Sequence, residues 1–487
     1  MLKTMRFLVL MLSLFVIQLF SQPIKVHPSN PHYFLFNGQP TVLITSAEHY
    51  GGVMNKAFDY VKYFDALKEY GLNYTRIYPG VLFEPMGKFV PGNTLGPKVA
   101  DLLVPWARSA VPGANPAGNK FDLDKWDTAY FQRLKDFIQK AGERDIVVEI
   151  CFFNMQYSDT WPISPLFHEN NIQGVGKCGY LDAQTLNFPD VVKRMEDYVS
   201  KLTIEVNPFD NVILEICDEP NFTGPPVDSA ATWVKRMLAV AKETDSKLPK
   251  KHLIAQQVME PIGGPIDLSA HPDVSLIVTQ YVWSGGRQVG GMLGLDSLYH
   301  HNKPIEDNET DYYPIWYRGN KIADSRVEAW EFMVGGGAGF NQLNGLYTVE
   351  DPAGKTEENG QLLQALKNLK DFLYSFDFIK MSQDKGLVIS GLPTTAHWRA
   401  ISQPGKQYAL YIHHGFWDKG GAYEVNPGNF TENPIINLPA GTYSAAWVNP
   451  ETGTILKSEE ISHNGGNLTL STPTYTVDIA LRVKATK

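Results

Sequence analysis

The chain has 487 residues, of which 43% are hydrophobic and 12% aromatic, so it is long enough for more than one buried core. It carries 52 acidic residues against 43 basic ones, which argues against a nucleic-acid partner or an anionic membrane surface. Three cysteines are too few, and odd in number, for a disulfide framework. These numbers favour a globular protein and leave its oligomeric state open.

The first residues have the pattern of a signal peptide. Lys3 and Arg6 precede an apolar run, Phe7–Phe20, and Ser21 offers a small residue for cleavage. The run is shorter than the ~20 apolar residues that a membrane-spanning helix needs. We therefore predict a signal peptide over residues 1–21 and a secreted or periplasmic bacterial protein, with no membrane span after cleavage. An uncleaved membrane anchor is the alternative.

From residue 40 onward, short apolar runs typical of buried strands alternate with amphipathic stretches typical of helices. Eight runs follow in order: Thr41–Thr45, Asn73–Tyr78, Ile146–Phe153, Val212–Cys217, His252–Ala255, Leu276–Thr279, Pro304–Glu309 and Ala338–Asn341. An open doubly wound sheet would need a Gly-rich phosphate turn after its first strand, and Ser46–Gly52 does not supply one. The repeated strand–helix unit therefore predicts an α/β fold, a (β/α)8 TIM barrel.

Beyond residue 380 the pattern changes to short strands separated by Gly, Pro and Asn, at the spacing of a β-sandwich. The predicted strands are Gly386–Ile389, Gln407–Ile412, Gly441–Trp447, Leu468–Leu470 and Val477–Leu481. We place the boundary near residue 382. The predicted domains are a catalytic barrel over residues 22–382 and a small all-β sandwich over residues 383–487.

Two acidic segments end predicted barrel strands. The strand Val212–Cys217 runs directly into Asp218 and Glu219 and stops at a proline. The segment Lys303–Thr310 follows later in the chain and carries three acids, Glu306, Asp307 and Glu309. Since the carboxyl ends of barrel strands line the active site, strands four and seven would bring these carboxyl groups to one mouth. A solvated acidic loop is the alternative for either segment.

This arrangement resembles the clan of retaining β-glycosidases with a TIM barrel, which includes cellulases, mannanases and β-galactosidases and has Asn-Glu-Pro at strand four and a Glu at the end of strand seven. More closely, the chain resembles bacterial cellulase-like glycoside hydrolases with a small C-terminal sandwich. The matching stretches are Ser46–Gly51, Asn73–Arg76, Phe121–Trp126, Glu215–Pro220, Lys303–Thr310 and Arg326–Asn344. The resemblance implies a glycosidase that cleaves β-glycosidic bonds of a poly- or oligosaccharide by a retaining double displacement.

By position, the resemblance implies Glu219 as the acid/base and Glu309 as the nucleophile. Arg76, at the end of strand two, matches the arginine that orients the nucleophile, and Tyr281 lies on strand six, where the clan often has an aromatic residue or His near it. One residue departs from the pattern. Asp218 stands where the clan has the Asn that contacts the sugar 2-hydroxyl, so an acceptor replaces a group that both donates and accepts.

Further sugar contacts are predicted at the barrel mouth. Glu48 and His49 follow strand one, where stabilising a turn is the alternative role. Trp161 and Trp283 fall in loops after strands three and six, where an aromatic face can stack on a sugar ring; packing within the loop is the alternative. Asn341, on strand eight, is a further candidate for the site.

Two other functions stay open. A glycan-binding barrel without catalysis would be expected to lack Glu219, Glu309 or Arg76, and all three are present. A metal-dependent barrel hydrolase would want a His-x-His on the first strand, and the sequence has neither this motif there nor a CxxC or HExxH. We therefore expect a carbohydrate substrate, no metal and no cofactor. Glu306 and Asp307 compete with Glu309 for the nucleophile role.

Overall fold

The computed structural model describes residues 22–486 except 49–50, 86, 88–95, 223, 259–261, 281–282, 285–286, 289, 314–320 and 418–422. The predicted signal peptide lies outside these residues.

An eight-stranded parallel sheet forms the larger part of the molecule. Its strands, called barrel strands one to eight in chain order, are Leu43–Ala47, Tyr74–Ile77, Val147–Asn154, Val212–Asp218, Leu253–Gln257, Leu276–Val278, Ile305–Tyr313 and Gly339–Asn344. Each lies at a run predicted from the sequence. Strands two to eight follow each other around the sheet, and strand eight pairs with strand one. The predicted barrel is confirmed.

Asn73 closes the barrel between strands one and two. Its backbone N–H donates to the Ile44 carbonyl at 3.4 Å, and its side-chain oxygen accepts from the Ile44 N–H at 3.2 Å. Its side-chain nitrogen donates to the Val42 carbonyl at 2.9 Å. A side-chain amide thus supplies hydrogen bonds at this seam that a regular ladder would take from the backbone.

Helices surround the barrel: Tyr60–Glu69, Thr128–Gly142, Pro189–Val206, Val227–Ser246, Gly290–Leu298, Lys321–Val334 and Glu357–Tyr374, with 3-10 turns at Trp161–Ile163, Tyr299–His301 and Phe378–Lys380. Asp59, Asp127 and Thr356 cap three of the N-termini through their side chains. The described residues between strands five and six contain no helix, so one predicted strand–helix unit lacks its helix there. Of the helices described, none has both the length and the apolar character needed to cross a membrane.

Short antiparallel strands lie outside the eight-stranded sheet. Strands Lys25–Val26, Phe34–Phe36 and Gln39–Thr41 form a small sheet before strand one. The long segment after strand two contains a hairpin of Trp106–Pro112 and Asn119–Trp126, and a short hairpin of Trp283–Ser284 and Arg287–Gln288 follows strand six. The hairpins therefore stand at the carboxyl ends of the strands, where the active site of such a barrel lies.

Two antiparallel sheets form the C-terminal part. The six-stranded sheet has the spatial order Ser382–Gln383, His397–Gln403, Gln407–His413, Asp478–Ala485, Gly441–Val448 and Ile455–His463. The three-stranded sheet is Val388–Ser390, Ile435–Leu438 and Gly466–Thr469, and a short hairpin joins Phe416–Trp417 with Tyr423–Glu424. Apolar side chains of both sheets share one core. The predicted all-β unit is confirmed, with more strands than the sequence indicated.

The six-stranded sheet packs on the barrel helix Lys321–Val334. The Trp330 and Tyr411 rings stack with centroids 5.5 Å apart, and both side chains are fully buried. From the same helix, Arg326 donates two hydrogen bonds to the Asp478 carboxylate, at 3.0 and 2.9 Å. Tyr411 donates a third to this carboxylate at 2.9 Å. The two parts of the chain are thus joined by a buried apolar and ionic interface.

Candidate active site

Polar side chains line the inside of the barrel. Strands two, three, four and seven contribute side chains that are fully buried, Arg76, Glu149, Glu215 and Glu306. The interior of a TIM barrel is usually packed with bulky apolar residues. Because a buried charge is costly unless it is paired, these groups must bind one another.

Arg76 is the centre of this network. Its Nε and Nη2 donate to the Glu215 carboxylate at 2.8 and 2.9 Å. Nη2 also lies 2.9 Å from Asp218 Oδ1, and Nη1 donates to Glu309 Oε2 at 2.6 Å. Burial opposes the charge of Arg76, but the carboxylates of Asp218 and Glu215 outweigh it and raise the pKa of Arg76 well above its ordinary value. One guanidinium therefore joins strands two, four and seven.

Tyr78 lies between Asp218 of strand four and Glu309 of strand seven. Its hydroxyl oxygen is 2.8 Å from Glu309 Oε2 and 2.7 Å from Asp218 Oδ2, and it accepts from Arg76 Nη1 at 2.9 Å. Sequence reasoning missed Tyr78. Its position two residues after Arg76 was the available signal, because side chains two apart on a strand share a face.

Asp218 is held from several directions. Besides Arg76 and Tyr78, Asn154 at the end of strand three donates to its Oδ2 at 2.6 Å. Burial raises the pKa of Asp218 to about 7, with the charge on Glu309 adding to the rise and that of Arg76 opposing it. Asp218 therefore populates both protonation states near neutral pH.

Glu219 lies one residue beyond strand four, with 8% of its surface exposed. Its backbone is left-handed, with φ 46°, a conformation that is strained for a residue other than glycine and is found preferentially at functional sites. The Glu219 N–H donates to Gln257 Oε1 at 2.5 Å, and Tyr157 donates its hydroxyl to Glu219 Oε2 at 2.6 Å. Both partners come from loop or strand ends that the sequence did not single out.

The surroundings of Glu219 favour its protonated form. Burial, followed by the charges on Asp218 and Glu309, raises the pKa of Glu219 well above its ordinary value. The Tyr157 hydrogen bond opposes this rise. A carboxyl group of this kind can donate a proton at neutral pH.

A β-bulge brings Glu309 into the site. Glu306 and Asn308 point into the barrel, where Asn308 donates to Glu149 at 3.2 Å and Glu306 lies beside Tyr74. Strict alternation would turn Glu309 to the outside, but the register shifts between Asp307 and Thr310. Glu309 therefore also faces inward, onto Arg76.

Glu306 lies deeper in the barrel than Glu309. Its Oε2 is 3.3 Å from the Tyr74 hydroxyl, which also bonds Glu149. Burial raises the pKa of Glu306 to about 8, and burial with the charge on Glu306 raises the pKa of Glu149 well above its ordinary value. At neutral pH Glu306 is mainly protonated and so is a weak nucleophile. Asp307 follows it on the opposite face of the strand by alternation.

The other predicted site residues lie in different settings. The Glu48 carboxylate accepts from the Gly51 N–H at 3.0 Å, a contact within its own turn. Trp161 is 2% exposed, and its indole N–H donates to the Cys178 carbonyl at 2.9 Å, so its ring is covered by the loop and offers no stacking face. We leave Trp161 out of the proposed site.

Asn341 is fully buried on strand eight, beside Thr45 of strand one, and neither of its amide atoms has a hydrogen-bond partner among the described residues. The backbone of Trp283 belongs to the short hairpin after strand six, and its side chain is not described. His49 and Tyr281 lie outside the described residues. Within the described part of the chain, no three His, Cys, Asp or Glu side chains are grouped as around a metal ion.

Solved structures share this architecture. A glycoside hydrolase family 5 protein from Bacteroides vulgatus ATCC 8482 matches with a TM-score of 0.60 and 13% identity, over 95% of this chain and 93% of that chain. A further glycoside hydrolase matches with a TM-score of 0.60 and 12% identity, over 96% of this chain and 97% of that chain. The likeness establishes the fold.

The endo-1,4-β-mannanase from Rhizomucor miehei matches a smaller part of the chain. Its TM-score is 0.50 at 13% identity, over 73% of this chain and 100% of that chain. No protein-family model matches the sequence, and a search of curated proteins found no match.

Proposed function

We propose that the protein is a retaining glycoside hydrolase that acts on β-glycosidic bonds of a poly- or oligosaccharide. Glu219 is the acid/base and Glu309 the nucleophile. The observation that carries the proposal is a pair of carboxyl groups at one barrel mouth. The surroundings of one favour its protonated form, and those of the other favour its ionised form. Burial and neighbouring charges favour the protonated form of Glu219, whereas Glu309 contacts the Arg76 guanidinium at 2.6 Å, which stabilises a carboxylate.

In the first step, Glu309 attacks the anomeric carbon while Glu219 gives its proton to the departing glycosidic oxygen. The product is a glycosyl ester of Glu309. In the second step, the now ionised Glu219 takes a proton from a water molecule, and the oxygen of this water attacks the anomeric carbon. Glu309 leaves as a carboxylate, and Arg76 stabilises the charge that returns to it. Two inversions retain the anomeric configuration.

The structural neighbours agree with a carbohydrate partner, because those described above are named as glycoside hydrolases and one as an endo-1,4-β-mannanase. Export of the enzyme to the periplasm or the medium rests on the pattern of residues 1–21 alone. It fits an enzyme whose polymeric substrate lies outside the cell.

The first experiment screens the purified protein against polysaccharides and activated aryl β-glycosides, and then separates the roles of the two glutamates. Glu219→Ala removes the acid, so substrates with poor leaving groups should slow by about 10²–10⁴-fold while activated aryl glycosides suffer far less. Azide should restore turnover and give a glycosyl azide of retained configuration. Glu309→Ala forms no ester, and azide should then give the inverted glycosyl azide.

Glu306→Gln is the matched control, because it changes a neighbouring carboxyl of the same strand without changing its size. It should keep activity and stereochemistry. An active Glu309→Ala beside an inactive Glu306→Gln would assign the nucleophile to Glu306 instead. If both alanine variants of the glutamates stayed fully active, the retaining mechanism would be wrong. Glycan binding without any hydrolysis in the wild type would identify a binding protein.

A further inference from the structure

The Tyr78 hydroxyl has more acceptors around it than it has protons. A phenol has one O–H to donate. Glu309 Oε2 at 2.8 Å and Asp218 Oδ2 at 2.7 Å both lie at hydrogen-bond distance from its oxygen. Arg76 Nη1, at 2.9 Å, can only donate to that oxygen. When both carboxyl groups are ionised, Tyr78 can therefore serve only one of them at a time.

We propose that Tyr78 is a positioning residue that shares its one proton between Glu309 and Asp218 and turns it from one carboxylate to the other as the charge on Glu309 changes. This inference rests on the proposed function and extends it to a residue that the family resemblance does not mark. The O–H bond stays intact throughout, and only its direction changes. Burial keeps the proton on Tyr78, because it raises the pKa of this phenol well above its ordinary value.

The direction of the Tyr78 O–H bond depends on the charges of Glu309 and Asp218. In the free enzyme Glu309 is an anion, and the Tyr78 hydroxyl donates to it. In molecules in which Asp218 is protonated, its own O–H donates to the Tyr78 oxygen and fixes this direction, and this proton passes to solvent when Asp218 ionises. Once Glu309 is esterified it carries no charge and accepts more weakly, so the hydroxyl turns to the Asp218 carboxylate. As Glu309 leaves in the second step, the hydroxyl turns back and stabilises the returning charge.

The aspartate at position 218 is the feature that makes this exchange possible. An asparagine there would carry no charge at any pH, and its pull on the Tyr78 proton would be weaker than that of a carboxylate. The Asp218 carboxylate is fixed on its other sides by Asn154 at 2.6 Å and Arg76 at 2.9 Å. Asp218 thus keeps its position while the Tyr78 O–H bond turns.

The test measures the titration of Asp218 by ¹³C NMR of the full-length protein labelled at aspartate carboxyl carbons, with the Asp218 signal identified by its loss in Asp218→Asn. Glu309→Gln should lower the apparent pKa of Asp218 for two reasons. It removes a neighbouring negative charge, and it leaves the Tyr78 O–H free to donate its hydrogen bond to Asp218. In Tyr78→Phe only the charge effect remains. The shift caused by Glu309→Gln should therefore be larger by about 1 pH unit with Tyr78 than with Phe at this position. Equal shifts in the two backgrounds would overturn the proposal.

A kinetic arm tests the consequence for the reaction with an aryl glycoside whose second step limits turnover. Tyr78→Phe should lower kcat and KM together by about tenfold and leave kcat/KM nearly unchanged, because the ester accumulates. A general loss of structure in Tyr78→Phe would instead lower kcat/KM. A lowered kcat/KM would therefore contradict the role of Tyr78 in the second step. Absence of any hydrolysis by the wild type would refute the proposed function, while the titration would still decide whether Tyr78 shares its proton.

Discussion

Replacing Asp478 with alanine should destabilise the whole molecule through its partner Arg326. The Arg326 and Asp478 side chains are each 3% exposed, and the substitution leaves the guanidinium buried without its two hydrogen bonds. Removing one partner of a buried ion pair costs about 3–5 kcal/mol. Glu451, 4.0 Å from Arg326 but 66% exposed, can replace no more than about 1 kcal/mol of this loss. Since folded proteins are stable by ~5–15 kcal/mol, the loss is a large share.

Chemical denaturation of the full-length protein, followed by tryptophan fluorescence, measures this loss. Asp197→Ala is the matched control, because its i,i+4 partner Lys193 is 64% exposed, and it should cost under about 1 kcal/mol. The double variant Arg326→Met with Asp478→Leu should recover most of the loss, because it removes both charges. A cost below about 1 kcal/mol for Asp478→Ala would show that water reaches Arg326 and that the interface is not the closed one described.

Two further predictions concern the C-terminal part and the acid/base. A chain ending at Ser382 uncovers the buried face of Trp330 and leaves Arg326 without Asp478, so it should be insoluble or aggregate in size-exclusion chromatography; a soluble and active truncated chain would show an independent module. Tyr157→Phe removes a donor that favours the ionised form of Glu219, so the pKa of Glu219 rises further. The basic limb of kcat/KM should then move up by about 1 pH unit, and an unmoved limb would contradict the assigned acid.

The barrel could be predicted from the sequence because its strands are buried on both faces and read as continuous apolar runs. The acids at the end of strand four were visible for the same reason, since they follow such a run. Those of strand seven were visible as three acids within four positions. The bulge between Asp307 and Thr310, which turns Glu309 inward, could not be read from the sequence. Nor could the contact of Tyr157 with Glu219, because it joins two loops that meet only in the folded chain.

The C-terminal sheets were predicted less completely than the barrel. The strand Ile455–His463 lies at the edge of its sheet and has no buried residue, so it lacks the apolar signal from which a strand is predicted. In His397–Gln403 only the segment Ala400–Ser402 is buried, and polar residues surround it. Strands that bury both faces, such as Gln407–His413, were found.

The buried acids in the barrel interior make the stability of the folded protein depend on pH. Glu306 has a pKa of about 8 in the folded protein, and burial raises the pKa of Glu149 well above its ordinary value. Both return to ordinary values of ~4.3 when the chain unfolds. The folded state therefore binds protons that the unfolded chain gives up. The contribution of Glu306 to stability is complete below pH ~4.3 and is lost as the pH rises through about 8, and that of Glu149 has the same sign. Protons act on this barrel as ligands of its native state, and unfolding at neutral pH would release them into solution.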